Sequence, residues 1–496
     1  MGRAETSVRH AVDMIKPNPH NAAGGGCGAR MRPASVAAAV WGALTAAMAV
    51  VAALAYRFGG APALGAIAQE GPISDIALTF YAAAAAWFIL GGFVVLLAFG
   101  RIDSGNVVTA ACFLAVSLLY VGFIRERVRY GDVGDYVNAA RSLVQGEHLP
   151  ARYLYPPLWA TLLRGLVRHG TRAVFDVLWI LNLLSLFALF FLLRATMRRY
   201  GFSDRLASLA TAGFLLVNVP VVRTLGYVQV NFHTLNLMLA ALLLYRRSAA
   251  LSALALALAA HLKVSPLVLV AAFVVARDYR WLAWFTLSAA AIAAWTVAEN
   301  GVYPYRDFIA NAAGVWSRDY PSYRQFSIDS LVQAVVAMFD RGYALMPFVV
   351  FPLKAVVAAA GIAAALAHRA RRAFADAAGA EGTVLNAAPA LFVLMVLLQP
   401  IAWPHHCVFL AVPFLVAAKR LETERDWIVF GAAYFLVFLM PVHDFFPWSY
   451  GRLAAILAWL PLSLALSRRP NDGRAFARAN AWAARMPFRP GSGEEP

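Results

Sequence analysis

Two aspartates in a polar run between apolar segments are the first residues that could do chemistry. Asp132 and Asp135 lie in the run Gly131–Tyr136, in which Gly131 and Gly134 leave the backbone free to turn. A carboxylate at such a turn can act as a general base and remove a proton from a hydroxyl group. A carboxylate in a loop is more often simply solvated, so the run by itself leaves both interpretations open.

The other candidates are charged or polar residues at the ends of apolar segments. Lys263 lies at the break between two short apolar segments, where a lysine either extends to the membrane interface or pairs with a phosphate. His405 and His406 are neighbours, and adjacent helical residues point about 100° apart. This disfavours a shared metal ion and favours one histidine as a hydrogen-bond donor or proton relay. Gln229 and Asn231 are candidates for hydrogen bonds between helices.

The composition identifies the elements that must position these residues. Hydrophobic residues make up 61% of the 496 residues and charged residues 14%. Soluble domains contain about 45–50% hydrophobic and about 25% charged residues. A transmembrane helix needs about 20 mostly apolar residues. The numbers therefore exclude a water-soluble globular enzyme and a disordered or fibrous protein, and they indicate a polytopic membrane protein.

The predicted fold is all-α, with about 12–14 transmembrane helices between residues 35 and 467. The polar tails 1–34 and 468–496 are predicted to be disordered, and the second is basic. Some of the apolar windows are short for one span and predict half-helices or re-entrant segments, namely 248–261, 264–276 and 404–418. The remaining windows lie at about 35–56, 75–99, 106–124, 173–193, 206–222, 228–245, 281–298, 343–367, 384–400, 427–442 and 449–467.

The charge distribution predicts sidedness. The net charge is +17, and arginines and lysines of cytoplasmic loops explain it better than nucleic-acid binding does. We therefore expect contacts with membrane lipids and no nucleic-acid partner. The bias places the chain in the cell (inner) membrane with both termini in the cytoplasm. The loop 125–172 is a basic exception on the outer side, which indicates binding of an anion, and the candidates above share that side.

The cysteine pattern adds little. The chain has three cysteines, and their positions show neither a metal-ligand spacing nor a disulfide framework. We therefore predict no metal site.

Four short motifs, in order within about residues 115–420, resemble those of one family of membrane enzymes. They are Gly131-Asp132 with Tyr136 and the later Tyr155-Pro156-Pro157-Leu158, then Gly226-Tyr227-Val228-Gln229-Val230-Asn231, then Ala259–Leu267 with Lys263-Val264-Ser265-Pro266, and finally Gln399–His406 with Trp403-Pro404-His405-His406. The chain resembles the GT-C superfamily of polytopic glycosyltransferases, and within it glycosyltransferase family 87. That family includes polyprenyl-phosphomannose-dependent mannosyltransferases. Each motif is weak alone, and their shared order makes the resemblance more specific.

The resemblance implies a GT-C-like domain with helices in its outer loops and an active-site loop at about 125–172. It implies inverting transfer of a hexose, most readily mannose, from a polyprenyl-phosphate donor to a lipid or glycan acceptor at the outer face, without a cofactor. Asp132 would be the general base. Asp135, at a position that the motif leaves free, is the alternative base and otherwise a substrate-binding residue. The residues implied near the donor phosphate and substrate are Lys263, His405, His406, Arg141, Tyr136, Tyr155, Gln229 and Asn231.

Two other functional classes stay open on the sequence. A transporter or permease for a lipid-linked or small polar solute would need polar residues along a path to both membrane faces, whereas the candidates cluster on one. A scaffold with a decayed active site would not need Asp132.

The chain departs from the family pattern at its start. The family has one span before the active-site loop, whereas this chain has the two additional windows 35–56 and 75–99.

Overall fold

The computed structural model describes residues 131–216, 218–317, 325–338, 345–440, 446–469 and 473–485, together with four residues between 42 and 46. All the regular secondary structure in these ranges is helical, so the predicted all-α class is confirmed. The predicted N-terminal tail, the windows 75–99 and 106–124 and most of the window 35–56 lie outside the described residues. The elements below belong to one compact unit.

Most of the helices overlap the apolar windows of the sequence, and the others lie between or after those windows. They are α1 (Gly131–Gln145), α2 (Pro157–Leu163), α3 (Thr171–Arg199), α4 (Asp204–Leu216), α5 (Val219–Gly226), α6 (Asn231–Leu244), α7 (Ala249–Leu262), α8 (Val270–Val275), α9 (Tyr279–Asn300), α10 (Tyr303–Ala313), α11 (Ile328–Met338), α12 (Met346–Ala370), α13 (Gly379–Leu397), α14 (Ala411–Ala418), α15 (Glu424–Tyr434), α16 (Gly451–Leu466) and α17 (Arg474–Arg485). Short 3₁₀ segments precede α8 (Ser265–Leu269) and α14 (Pro404–Leu410).

Four of these helices, α3, α9, α12 and α13, are long and apolar enough to cross a membrane, and the pair α4–α5, bent by 62°, makes a fifth if it is one span. The apolar part of α13 is 83% buried and that of α9 only 17%. Helix α13 therefore lies at the centre of the bundle, whereas α9 turns most of its apolar surface outward, as a lipid-facing helix does. The polytopic membrane class is confirmed, and the count of about 12–14 spans stays a prediction.

The short windows 248–261 and 264–276 form two helical segments that are separated by a break at Lys263. Helix α7 has 14 residues and ends where the backbone of Lys263 becomes extended, and Pro266 then starts the 3₁₀ segment before α8. Proline at the first turn of a helix costs no hydrogen bond, but it prevents the preceding helix from continuing. The break places a lysine between two apolar helices, each too short to cross a bilayer.

Outside the long helices, α1 and α2 form a smaller apolar cluster with the start of α3. Pro156 and Pro157 begin α2 in the position where proline is favoured. The buried hydroxyl of Tyr153 accepts a hydrogen bond from the amide of Ala160 (3.1 Å). This contact ties the loop after α1 to α2 and so holds both beside the bundle.

Residues 474–485, which lie within the tail predicted to be disordered, form α17. Phe476 is buried and packs edge to face on Phe202 (centroids 4.8 Å apart), and Ala483 is buried as well. A narrow apolar stripe thus docks a basic helix against α4. Composition averaged over the tail does not show such a stripe, because the stripe depends on helical spacing.

Candidate active site

One cavity of about 750 Å³ lies where α1, the break after α7 and the segment before α14 meet. Segments that are far apart in the chain therefore contribute to one space, as the common sidedness of the candidates predicts. Six of the predicted site residues line it: Asp132, Asp135, Tyr155, Lys263, His405 and His406. A volume of this size is within the range of about 300–1,000 Å³ that is typical of sites for organic ligands.

Helix α1 supplies the acidic side of the cavity. Asp132 and Asp135 are three residues apart, so both side chains project from one face of the helix. The Tyr155 hydroxyl lies 3.1 Å from Gln229 Oε1 and 3.5 Å from Asp132 Oδ2. The hydroxyl therefore lies between these two side chains and is closer to Gln229 than to Asp132.

The environment makes Asp132 a better base than an ordinary aspartate. Burial, reinforced by the negative charge of Asp135, raises its pKa to about 7, while Lys263 and the Tyr155 hydroxyl act in the opposite direction. Burial also raises the pKa of Asp135, and Arg152 opposes that shift. A carboxylate with a pKa near the working pH exchanges protons more effectively than one with a pKa near 4.

Tyr136 and Gln229 lie behind the acidic side and do not line the cavity. Both are fully buried, and the Tyr136 hydroxyl donates to Gln229 Oε1 (3.4 Å). The rings of Tyr136 and Tyr155 pack edge to face with centroids 5.2 Å apart. Tyr136 and Gln229 therefore both contact Tyr155, and together they orient the Tyr155 hydroxyl beside Asp132.

Lys263 and Asn231 form the basic counterpart. Lys263 Nζ donates to Asn231 Oδ1 (2.9 Å), and Asn231 Nδ2 donates to the carbonyl of His405 (3.3 Å). The ammonium group also lies 5.6 Å from the centre of the Phe409 ring. Asn231 is fully buried and does not line the cavity, so it holds Lys263 at the wall while the lysine faces the space.

The two histidines occupy different environments although they are adjacent. The amide of Trp403 donates to His406 Nδ1 (3.2 Å), so the neutral imidazole carries its proton on Nε2 and can donate it. The His405 ring is perpendicular to that of His406, at 4.6 Å between centroids. His405 Nδ1 is buried without a hydrogen-bond partner in the described part of the chain. In those residues, no group of three or more His, Cys, Asp and Glu side chains is placed to hold a metal ion.

Arg141 does not lie in the cavity. Its side chain is exposed and donates to Thr171 Oγ1 (2.9 Å). Arg141 follows Asp132 by nine residues, which on an α-helix is two and a half turns, so the two side chains point in opposite directions. Arg141, which is predicted to lie near the donor phosphate, is therefore not among the predicted residues that the cavity brings together.

Two other arginines line the cavity, and the sequence interpretation did not single them out. Arg223 is buried in α5, where its guanidinium packs over the Tyr227 ring (5.1 Å) and donates to the Tyr227 hydroxyl (3.2 Å). Arg152 lies in the loop between α1 and α2, near Asp135. An arginine at the end of an apolar segment is costly and usually functional, and this signal could have identified Arg223. Nothing in the sequence pattern distinguishes Arg152 from the other loop arginines.

A strained turn joins the two sides of the cavity. Val228 has φ = 52°, a left-handed conformation that β-branched residues almost never adopt. Its amide bonds to the carbonyl of Leu225 (3.1 Å) and that of Gln229 to Thr224 (3.0 Å), which is the hydrogen-bond pattern of a helix terminus that usually has glycine here. The turn brings Gln229 to the acidic side and Asn231 to the basic side.

Comparison with known families gives one finding. The model of glycosyltransferase family 87 matches residues 153–400. The matched segment contains Tyr155, Gln229, Asn231 and Lys263, while Asp132 precedes it and the histidine pair follows it. No curated protein is similar enough to the chain to give a match.

Proposed function

The chain belongs to glycosyltransferase family 87 and is a membrane glycosyltransferase, and from this premise we propose its donor, acceptor and mechanism. The donor is a hexose, with mannose as the first candidate, linked to a polyprenyl phosphate. The acceptor is a hydroxyl group of a lipid or glycan at the outer face of the cell membrane, where the charge bias places the cavity. Both termini would then be cytoplasmic.

The observation that carries the proposal is that one cavity contains both a group that can act as a base and groups that can carry a positive charge. Asp132 has a pKa of about 7 and faces the same space as Lys263 and Arg223. A transferase that uses a sugar phosphate needs a base for the acceptor hydroxyl and cations for the leaving phosphate. The cavity also lies between apolar helices, so a lipid tail can stay in the bilayer while its phosphate reaches the cations.

In the proposed reaction Asp132 takes the proton of the acceptor hydroxyl. The acceptor oxygen then forms a bond to the anomeric carbon as the bond from that carbon to the phosphate oxygen breaks. The electron pair leaves with the polyprenyl phosphate, and attack from the opposite side inverts the anomeric configuration. Asp135 keeps the pKa of Asp132 high, and Tyr155, held by Tyr136 and Gln229, positions the carboxylate.

The leaving phosphate gains negative charge as the bond breaks, and preorganised donors stabilise such charge best. Lys263 is fixed by Asn231, and Arg223 by Tyr227. His406 Nε2–H is a further donor, and His405 supplies the carbonyl that anchors Asn231. Because these groups can balance the phosphate charge, we propose that the reaction proceeds without a metal ion.

The test is transfer from radiolabelled polyprenyl-phosphate hexoses in membranes that contain or lack the protein. We expect labelled lipid or glycan products only with the protein present, and we expect their formation to continue in EDTA. Mannosyl, glucosyl and galactosyl donors are compared side by side. Absence of product from all three donors would overturn the proposed donor class, and loss of activity in EDTA that Mg²⁺ restores would overturn the metal-free mechanism.

A further inference from the structure

A third side of the cavity is polar, and the mechanism above does not use it. Five of its residues, which we call the polar wall, come from α11, the residues just before it and the segment just after α13: Gln325, Asp329, Ser330, Gln333 and Gln399. Each of them is at most 7% exposed. Amide, hydroxyl and carboxylate groups buried among apolar helices are costly unless hydrogen bonds or ion pairs satisfy them, so a wall of five such groups needs an explanation.

The polar wall is held rigidly. Asp329 and Gln333 are four residues apart on α11 and so share a helix face. The carboxylate of Asp329 pairs with Lys354 of the neighbouring spanning helix α12. The carbonyl of Ser330 accepts a hydrogen bond from the Tyr450 hydroxyl (2.8 Å). Preorganised polar groups of this kind bind a ligand without first having to be ordered.

The side-chain amide of Gln399 is the observation that indicates a ligand. Its Nε2 is buried and has no hydrogen-bond partner among the residues that the structure describes, yet the side chain is 6% exposed and lines the cavity. A buried amide without a partner loses the free energy of its hydration. A ligand oxygen in the cavity would restore that hydrogen bond.

The chemistry of the polar wall differs from that of the cationic groups Lys263 and Arg223. Its single charge, on Asp329, is balanced by Lys354, so the wall does not attract a phosphate. Amide groups and a fixed carboxylate both accept and donate hydrogen bonds in the pattern that neighbouring hydroxyl groups need. We propose that the polar wall binds the ring hydroxyls of a hexose. The inference rests on the proposed function for the presence of a sugar, and that sugar is either the donor's hexose or one in the acceptor.

The experiment measures sugar binding without any transfer. The full-length protein is placed in phospholipid nanodiscs, and binding of octyl mannoside, glucoside and galactoside is measured by ligand-observed NMR. We expect Gln333→Leu and Gln399→Leu each to raise the dissociation constant of the preferred hexoside by about tenfold, the loss typical of a buried hydrogen bond. The matched control is Gln145→Leu, at an exposed glutamine on α1, which should leave it unchanged.

A second probe separates sugar recognition from binding of the alkyl chain. Triethylene glycol monooctyl ether has the same tail but no ring hydroxyls, so its affinity should not respond to Gln399→Leu. The double variant Asp329→Asn with Lys354→Met removes both members of this ion pair, so that neither is left without the other. It is expected to weaken hexoside binding while the ether binds as before. Unchanged hexoside affinity in both glutamine variants, or an equal loss for the ether, would overturn the proposal.

Transfer kinetics then identify the source of the sugar. A rise in KM for the acceptor alone assigns the polar wall to the acceptor, and a rise in KM for the donor alone assigns it to the donor hexose. Because hexoside binding needs no polyprenyl donor, absence of transfer would overturn the proposed donor while leaving the binding result intact. Loss of transfer in Asp132→Asn with normal hexoside binding would show the two sites to be separate.

Discussion

The acidic and basic sides of the cavity are built in different ways around one short turn. On the acidic side Gln229 accepts hydrogen bonds from two tyrosines and so fixes the hydroxyl beside Asp132. On the basic side Asn231 accepts a hydrogen bond from Lys263 directly. The Asp132 carboxylate is therefore linked to Gln229 only through the Tyr155 hydroxyl, whereas the Lys263 ammonium group bonds to Asn231 directly.

This difference has a physical reason. A proton acceptor must keep an oxygen free for the acceptor hydroxyl, so a long contact of 3.5 Å from Tyr155 to Asp132 is suitable. A group that stabilises a leaving phosphate works best when its position is fixed before charge develops. In the proposed mechanism, the same amide side-chain chemistry, two residues apart, thus serves proton transfer on one side and charge stabilisation on the other.

Removing the acidic group should have the largest effect. We expect Asp132→Asn to lower the rate of transfer by about 10³-fold, because an amide cannot take the acceptor proton. Asp135→Asn should retain much of the activity, since this side chain acts on the pKa of Asp132 and does not take the proton itself. Rates in membranes with equal amounts of protein give the comparison. Comparable losses in the two variants would contradict the distinct roles.

The basic side should tolerate change somewhat better, because Arg223 shares the charge. We expect Lys263→Met to reduce kcat by about 10²-fold, a loss typical of removing one group that stabilises developing charge. Each protein is assayed over a range of pH and compared at its own optimum, because loss of Lys263 raises the pKa of Asp132 and burial lowers the pKa of Lys263 itself to about 7. Arg141→Met is the matched control, because Arg141 is exposed and bonded to Thr171. A larger loss for Arg141→Met than for Lys263→Met would reverse the assignment.

The pH profile tests how the acidic side is tuned. Asp132 must be ionised to act as a base, so activity should fall as the pH drops through about 7. Asp135→Asn removes a negative charge that raises the pKa, and should move this fall to lower pH. Tyr155→Phe removes a hydrogen bond that lowers the pKa, and should move it to higher pH. Shifts in the same direction in both variants would show that another group titrates.

The smallest effect concerns the turn shared by both sides. Val228→Gly relieves the strain at φ = 52° but loses a buried side chain, whereas Val230→Gly loses a buried side chain without relief. We therefore expect Val228→Gly to cost about 1–2 kcal/mol less stability than Val230→Gly. Thermal unfolding of the purified variants measures the difference. Equal unfolding midpoints would mean that the turn is not strained in the way its φ angle indicates.

Several parts of the fold and site could be predicted because they depend on local pattern. The windows 173–193, 281–298 and 343–367 correspond to α3, α9 and α12, since a bilayer demands long apolar helices. The break at Lys263 also follows from the sequence, because Pro266 ends the preceding helix. Asp132 and Asp135 share a face for the same local reason, their spacing of three residues.

Other parts depend on how distant segments meet. The direction of Arg141 is not one of these parts, because a spacing of nine residues on a helix already places the Arg141 and Asp132 side chains on opposite sides. The position of Arg223 beside Lys263 depends instead on the packing of α5. The residues of the polar wall from 325–333 carry no motif, and Gln399 begins the fourth motif without a role of its own there. Their common role follows only from facing the same cavity.

Composition and spacing along the chain are enough to predict the membrane class, the apolar helices and the residues of the four motifs. Tertiary structure alone decided that Gln229 and Asn231 serve opposite sides of one cavity and that Tyr155 stands between Gln229 and Asp132. It also decided the raised pKa of Asp132, since burial and the fields of Asp135 and Lys263 depend on positions in space.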